Sequence, residues 1–316
     1  MKVLVVGGAG YIGGAVTDAL IKKGIPFTVY DCLLYEHLYL KPVDFIFGDI
    51  RDTEKLKKLL PNYTHVVWLA AIVGDPACKV NPELTTAINQ KAVEWLANNY
   101  DGRIIFMSTC SVYGQNSELL NEDSPTNPLS LYAQTKLSAE AYLHDKNCLI
   151  FRLGTVFGVA DAFARLRMDL AVNYMTANAL KKGKLSIFGG TQWRPLIHVK
   201  DVGDVIVQNL SSQAKGVYNL SAFNIQIKDM GKLISEITKC EIELTERAFQ
   251  DARDYHVSNA KAVADGIFNP NATRTIQDGV REISDIIQGG RIKYSEDDVY
   301  FNERHIINLI KKDELK

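Results

Sequence analysis

The chain begins with Lys2 to Val6, a short valine-rich run, and passes directly into Gly7-Gly8-Ala9-Gly10-Tyr11-Ile12-Gly13. No other stretch narrows the choice of fold as much. An apolar, β-branched run of this length reads as a buried strand. Gly7, Gly10 and Gly13 have the spacing G-x-x-G-x-x-G, and Ile12, Val16, Ala19 and Leu20 then recur on one side of a helix that Gly24 closes. A glycine turn between strand and helix lets the backbone approach a pyrophosphate, whose charge sits well at the helix N-terminus. A plain strand-to-helix turn can carry the same glycines, so the next strand has to arbitrate. That strand, Phe27 to Tyr30, ends in Asp31, eighteen residues beyond Gly13. A carboxylate there can accept both ribose hydroxyls of an adenosine and repels a 2′-phosphate. No Arg or Lys lies between Asp31 and Lys41 to receive such a phosphate, so the expected cofactor is NAD rather than NADP.

The alternation continues. Phe45 to Phe47 leads into Gly48-Asp49-Ile50, and His65 to Leu69 into the small residues Ala70-Ala71, which would let backbone lie flat against a cofactor. A helix from Pro82 to Tyr100 carries Asn89. Arg103 to Met107 then leads into Ser108-Thr109-Cys110-Ser111, and Cys148 to Leu153 into Gly154-Thr155. Strands separated by helices imply a Rossmann-type α/β fold, a doubly wound parallel sheet with ligands beyond the carboxyl ends of its strands. Gly7, Asp31, Ala70 and Thr109 all fall at such ends and should meet in one crevice. Residues 1–183 are read as this dinucleotide-binding domain. From Lys184 the pattern shifts to short strands and helices: Leu185 to Phe188, Val217 to Leu220, Lys228 to Lys239 and Ile242 to Thr245. Residues 184–316 are therefore read mainly as a smaller substrate-binding lobe, with some segments free to return to the first domain. Ile276 to Ile287 and Glu303 to Ile310 read as amphipathic helices without chemistry.

Between the halves lies Tyr132-Ala133-Gln134-Thr135-Lys136, which opens an apolar-periodic run after a loop containing Pro125, Pro128 and Ser130. Spacing i, i+4 puts the phenol and the ammonium on one helix face. Many surface helices carry such a pair. As an acid/base, a tyrosine must be shifted from a pKa of about 10 by roughly 3 units, or about 4 kcal/mol. One positive charge about 4 Å away at an effective dielectric of about 20 supplies that much.

Composition excludes several other classes. The net charge is −1 over 316 residues, which offers no footprint for nucleic acid or an anionic membrane. No apolar run reaches spanning length, and the immediate start of the first strand leaves no signal peptide. Five cysteines without a C-x-x-C indicate neither a disulfide framework nor a zinc site, which suits a reducing cytoplasm. Lys312-Asp313-Glu314-Leu315 is followed by Lys316, so it is not read as a terminal retention signal.

Taken together, these stretches resemble the extended short-chain dehydrogenase/reductase family of sugar-nucleotide epimerases, dehydratases and dehydrogenases. The resemblance rests on the Gly7/Gly10/Gly13 turn, Asp31, Gly48-Asp49-Ile50, Leu69-Ala70-Ala71, Ser108-Thr109 before Val112-Tyr113-Gly114, Tyr132/Lys136, the Arg194-to-Asp201 stretch and Arg253-Asp254. It implies Tyr132 as base, Lys136 as its partner and nicotinamide-ribose ligand, and Thr109 as a hydroxyl shared with the reacting sugar oxygen. It also implies NAD held by Gly7, Gly10, Tyr11, Ile12, Gly13, Asp31, Leu69, Ala70, Ala71 and Asn89, with Asp49 and Ile50 flanking the adenine. Arg194 and Arg253 would hold the diphosphate of a nucleotide-diphospho-sugar. The 4,6-dehydratases of the family place Asp-Glu after the catalytic Thr; Cys110-Ser111 stand there instead, which argues against elimination of water.

The stretches Ala71 to Lys79 and Arg165 to Asn173 are similar to a branch that includes GDP-manno-heptose dehydrogenases. That similarity implies sugar-binding roles for Arg165, Arg167 and Asn173, with the arginines on a polar helix, and favours GDP- over UDP-, dTDP- and CDP-sugars. The expectations are thus an NAD-dependent epimerase or dehydrogenase acting at C4, or a 4-ketoreductase, in a homodimer or higher oligomer. A dinucleotide-binding sensor without chemistry is the reading from another class.

Overall fold

In the computed structural model, which describes residues 1–36, 38–245, 254–312 and 314–315, the opening run becomes strand β1 (Val3–Val6), buried at every position. The glycine turn feeds α1 (Tyr11–Lys23), which Gly24 ends in a left-handed conformation with its N–H on the Ile21 and Leu20 carbonyls. β2 (Phe27–Asp31), β3 (Phe45–Phe47), α2 (Thr53–Leu59) and β4 (His65–Trp68) follow. Two short helices, α3 (Asp75–Val80) and α4 (Pro82–Thr86), lead through a π-turn at Ala87–Lys91 into α5 (Ala92–Asn99). Next come β5 (Arg103–Thr109), the short β6 (Leu119–Leu120), α6 (Leu131–Leu143) and β7 (Cys148–Leu153). The remaining strands are β8 (Thr155–Phe157), β9 (Lys184–Phe188), β10 (Trp193–His198), β11 (Gly216–Leu220), β12 (Phe223–Gln226), β13 (Glu241–Thr245) and β14 (His256–Val257). Among them lie α7 (Ala171–Lys182), α8 (Val199–Gln208), α9 (Ile227–Thr238), α10 (Ala260–Ala264), α11 (Ile276–Gln288) and α12 (Asn302–Lys311).

Seven strands form one sheet in the order β11-β7-β5-β4-β1-β2-β3, with every pairing parallel. The alternation of β1 explains why both faces are covered. Val3 and Val5 join a core with Val16 and Leu20 of α1 and Val202 and Ile206 of α8, while Leu4 and Val6 join another with Leu96 of α5 and Ala139 and Leu143 of α6. After β3 the chain returns to the far side of β1, so the strand order reverses between β1 and β4. In such folds that switch point is where ligands bind. The doubly wound architecture expected from sequence is the one observed.

Val217 to Leu220, grouped with the smaller lobe from its position in the chain, pairs with Leu149 to Leu153 as an edge strand of the main sheet. Its crossover helix α8 packs on α1 and carries it back. The smaller lobe is built on β8, β10 and β12 and on the parallel pair β9–β13. Its core comprises Val172, Leu185, Ile187, Met230, Ile234 and Val280. His198 is fully buried: its Nδ1 accepts from Lys200 N and its Nε2 meets Glu282 Oε2 at 3.0 Å, a structural arrangement.

The packing of α8 on α1 leaves no space at Gly203, where a Cβ would stand 2.7 Å from the Ala15 carbonyl carbon and oxygen. Gly203→Ala gains helix propensity of about 1 kcal/mol but overpacks backbone against backbone, at about 1–3 kcal/mol. Neither backbone can rotate aside, so overpacking wins. Urea unfolding should show a net loss of stability.

Candidate active site

The turn after β1 is shaped by contact with the end of β4. Gly7 has φ +81°, and a Cβ there would lie 2.5 Å from the Ala70 nitrogen. Gly13 faces the Gly8 carbonyl just as closely. Gly10 is the N-cap of α1 and offers no side-chain cap, and no acidic residue stands in the first turn. The N-terminal N–H groups of α1 and the positive end of its dipole therefore face the cleft, a ready anion site. At the end of β2, Asp31 Oδ2 accepts from Ala9 N at 3.0 Å and Oδ1 from Leu33 N at 2.8 Å. Burial raises the Asp31 carboxyl above its ordinary pKa, against these backbone N–H groups.

One cleft is lined by Gly7, Gly10, Tyr11, Ile12, Gly13, Asp31, Asp49, Ile50, Leu69, Ala70 and Ala71, so the structure brings these sequence candidates together. The fit to NAD can be judged from the lining. Donors at the helix start suit a pyrophosphate, and carboxylates at the β2 and β3 ends suit an adenosine. Tyr35 Oη and Glu36 Oε1, both lining the cleft, are buried without a hydrogen-bond partner among the described residues. Such orphaned groups suit a polar ligand. Asp49 also chelates the Arg51 guanidinium, at 2.7 Å to Nη2, which holds that arginine beside the cleft.

Asn89 is placed differently from the other candidates. Its Oδ1 accepts from Ile72 N and its Nδ2 donates to Ile72 O, both at 2.8 Å, so the side chain braces the chain after β4. The π-turn at Ala87–Lys91 interrupts the single helix expected from Pro82 to Tyr100 and carries this residue. Insertions of this kind often occur at functional sites.

Thr109 ends β5, and Tyr132 and Lys136 lie on α6, whose N-cap Ser130 accepts from Ala133 N and donates to Asp75 Oδ1 at 2.6 Å. Thr109 Oγ1 accepts from Ser111 N at 3.1 Å. Burial raises the Tyr132 phenol above its ordinary pKa, and the Arg167 guanidinium and the Thr109 side chain pull against that rise. Lys136 donates to the Met107 carbonyl at 2.9 Å and lies over the Phe106 ring, and burial lowers its pKa to about 8. The lowered phenol pKa expected from the Tyr-Lys spacing is thus not found in the protein without ligands. Desolvation dominates, and the Lys136 ammonium is directed to a carbonyl.

Of the described residues expected to bind the sugar-nucleotide, Arg165 and Arg167 line the cleft, and Asn173 and Arg194 do not. Arg165 and Arg167 lie on an irregular loop between β8 and α7, not on a helix, and both line the glycine-turn cleft. Arg165 donates to Val299 O and Asn302 Oδ1 and stacks over Tyr35 at 4.2 Å, while Arg167 pairs with Asp169 at 2.9 Å. Asn173 is fully buried, bonding Gly158 N and O and Arg167 O. Arg194 is buried in β10 and donates to Trp193 O. Arg253 lies outside the described residues. Among the further lining residues, Tyr35, Glu36 and Asn302 have no sequence signal of their own. Tyr35 and Glu36 sit in an irregular segment, and Asn302 begins a helix, α12, read as inert.

Comparison with known proteins agrees with this geometry. Residues 3–224 match the model of the NAD dependent epimerase/dehydratase family. The UDP-glucose 4-epimerase of Lactobacillus helveticus is 29% identical over 75% of this chain and 82% of its own length. That of Azospirillum brasilense is 30% identical over 68% of this chain and 70% of its own. Among solved structures, Bacillus cereus UDP-glucuronic acid 4-epimerase, in complex with UDP-glucuronic acid and NAD, superposes with a TM-score of 0.76 at 26% identity, covering 92% of this chain and 99% of that one.

The Asn89 brace yields a direct test. Asn89→Leu strands the buried Ile72 N–H, whereas the Ile72 carbonyl keeps the Cys78 thiol at 3.3 Å. One orphaned donor costs about 1–3 kcal/mol. Chemical unfolding should show that loss, and calorimetric titration should show weaker NAD binding.

Proposed function

The chain belongs to the NAD dependent epimerase/dehydratase family, and from that premise we propose that it inverts C4 of a nucleotide-diphospho-sugar by reversible oxidation, with a uridine diphosphate sugar as substrate. The observation that carries this reading is the placement of Tyr132 and Lys136 on α6 and Thr109 at the end of β5, with Arg167, which lines the cleft suited to NAD, acting on the Tyr132 phenol. The named relatives are UDP-sugar enzymes, which supports uridine over the guanosine expected from sequence. Cys110 is fully buried with its thiol on Arg152 O, and Ser111 Oγ meets the Tyr255 hydroxyl at 3.2 Å. Neither is a carboxyl acid or base, which supports oxidation and reduction without loss of water.

NAD supplies a hydride acceptor that can return the hydride to the same carbon, and in its oxidised form it brings a positive charge. Tyr132 takes the proton of the C4 hydroxyl and gives it back on reduction, while Thr109 holds that oxygen. The phenol starts above its ordinary pKa, so it works as a base only in the assembled complex. A positive charge about 4 Å away, at an effective dielectric of about 20, offsets about 4 kcal/mol, or roughly 3 pKa units. Arg167, which lines the cleft, already acts in that direction before any ligand binds. Lys136 and Ser130 fix α6, so that the phenol stays within about 2.6–3.2 Å of a bound hydroxyl.

Incubation with UDP-glucose, UDP-galactose and UDP-glucuronate, read by proton NMR, should show C4 epimers interconverting without accumulation of NADH absorbance. Tyr132→Phe should keep NAD and lose about 10²–10⁴-fold in kcat, the usual contribution of a general acid–base group. Full turnover in that variant rejects the assignment. Stoichiometric NADH would favour the dehydrogenase, and turnover of GDP-sugars alone would restore the guanosine reading.

A further inference from the structure

The helix α12 closes one side of the cofactor cleft. Asn302, at its first position, is almost fully buried and uses all of its polar groups there. Its Oδ1 accepts from Arg165 Nη2, its Nδ2 donates to Val73 O at 2.9 Å, and its N–H donates to Asp169 Oδ2 at 3.0 Å. Val73 belongs to the chain leaving β4, Arg165 to the loop before α7, and both line the cleft together with Asn302. One turn on, His305 Nε2 meets the Leu34 carbonyl at 2.9 Å and its ring lies 5.4 Å from Tyr35. Ile306 is buried in the core under the β4 side of the sheet, and Ile310 and Leu315 pack on that core. Leu315 also lines the cleft, and His305, Leu309 and Leu315 line the adjoining space beside Asp49 and Arg51. Leu33 holds φ +55°, a left-handed conformation unusual for leucine, in the loop that α12 clasps.

We propose that Asn302 is a positioning residue of the cofactor site, and that α12 is a strap latched by Asn302 to Arg165 and Val73 and by His305 to Leu34, which must lift for the cofactor to exchange. The latch joins the chain after β2, the chain after β4 and the arginine loop, the first and last of which also meet where Arg165 stacks over Tyr35. A strap of one short helix, held by a few polar contacts and one apolar stripe, opens locally more readily than the sheet beneath it. Retention of NAD between turnovers suits a reaction that returns its hydride within one binding event. The inference rests on NAD occupying the cleft and not on which sugar is turned over.

The experiment loads the full-length protein with NAD, dilutes it, and follows released NAD with a coupled alcohol dehydrogenase at 340 nm. Asn302→Ala, His305→Ala and a chain ending at residue 301 are compared with the parent. Loss of the Asn302 contacts should speed release by at least about tenfold, the equivalent of one charge-assisted hydrogen bond. Asn302→Asp, which keeps the acceptor for Arg165 but loses the donor to Val73, should fall between. Circular dichroism establishes folding. Should the shortened chain fail to fold, the point variants still decide. Release at the parent rate from folded Asn302→Ala and His305→Ala overturns the strap, as does equally fast release from the parent and every variant.

Discussion

Gly7 lies so close to Ala70 that no side chain fits between them, and much of the site depends on that contact. The Gly7 N–H is taken by the Tyr30 carbonyl of β2, and the Ala70 N–H by the Val6 carbonyl of β1. The ends of three adjacent strands are thereby tied at one point, where the strand order reverses. A Cβ at position 7 would stand 2.5 Å from the Ala70 nitrogen and would also demand an unfavourable positive φ. The glycine turn and the Leu69-Ala70-Ala71 segment are therefore two sides of a single surface. Its flatness lets a dinucleotide lie across β1 and β4 with its phosphates at the start of α1.

What could be read from sequence was what is locally encoded. Buried runs such as Val3–Val6 and Cys148–Leu153 announce parallel strands because both faces are covered, and glycines announce backbone that a Cβ would obstruct. Residues at strand ends, including Asp31, Ala70 and Thr109, follow from the topology once the strands are assigned. The rest depends on contacts between distant segments. The helix from Pro82 looked continuous because its apolar spacing survives the π-turn that carries Asn89. Val217 to Leu220 joined the main sheet through α8, a choice made by packing against α1 and invisible in the strand itself. The apolar stripe of α12 indicated that it packs on something, without saying that this is the cofactor side.

Arg165 and Arg167 show how far a residue's placement depends on the segment that carries it. Similarity to a branch of the family implied sugar-binding roles for them, on a polar helix. On an irregular loop they face the glycine-turn cleft, where Arg167 serves two neighbours: it pairs with Asp169 and it pulls down the Tyr132 phenol. In the proposed reaction, a guanidinium at this position would couple the cofactor cleft to the phenol that takes the proton, so the two would not be tuned independently.

The distribution of charge along the cleft explains why a cation is kept at Arg165 at all. Asp31 and Asp49 stand at the β2 and β3 ends, suited to ribose and adenine, with Glu36 nearby. Arg165 is almost fully buried, and its guanidinium hydrogen bonds go to neutral oxygens, the Val299 carbonyl and the Asn302 amide. Burial lowers its pKa to about 10. A buried cation without a hydrogen-bonded carboxylate is costly, by several kcal/mol before compensation. Asp169 and Glu36 offset part of that cost, and an anionic ligand beside the guanidinium would offset more, since guanidinium–phosphate bonds are among the stronger charge-assisted contacts. Removing Arg165 from water, aiming it with Asn302 and leaving it without a carboxylate hydrogen bond are thus parts of one design. The side of the cleft that α12 covers would thus gain most from a bound anion, which would meet there little competition from solvent.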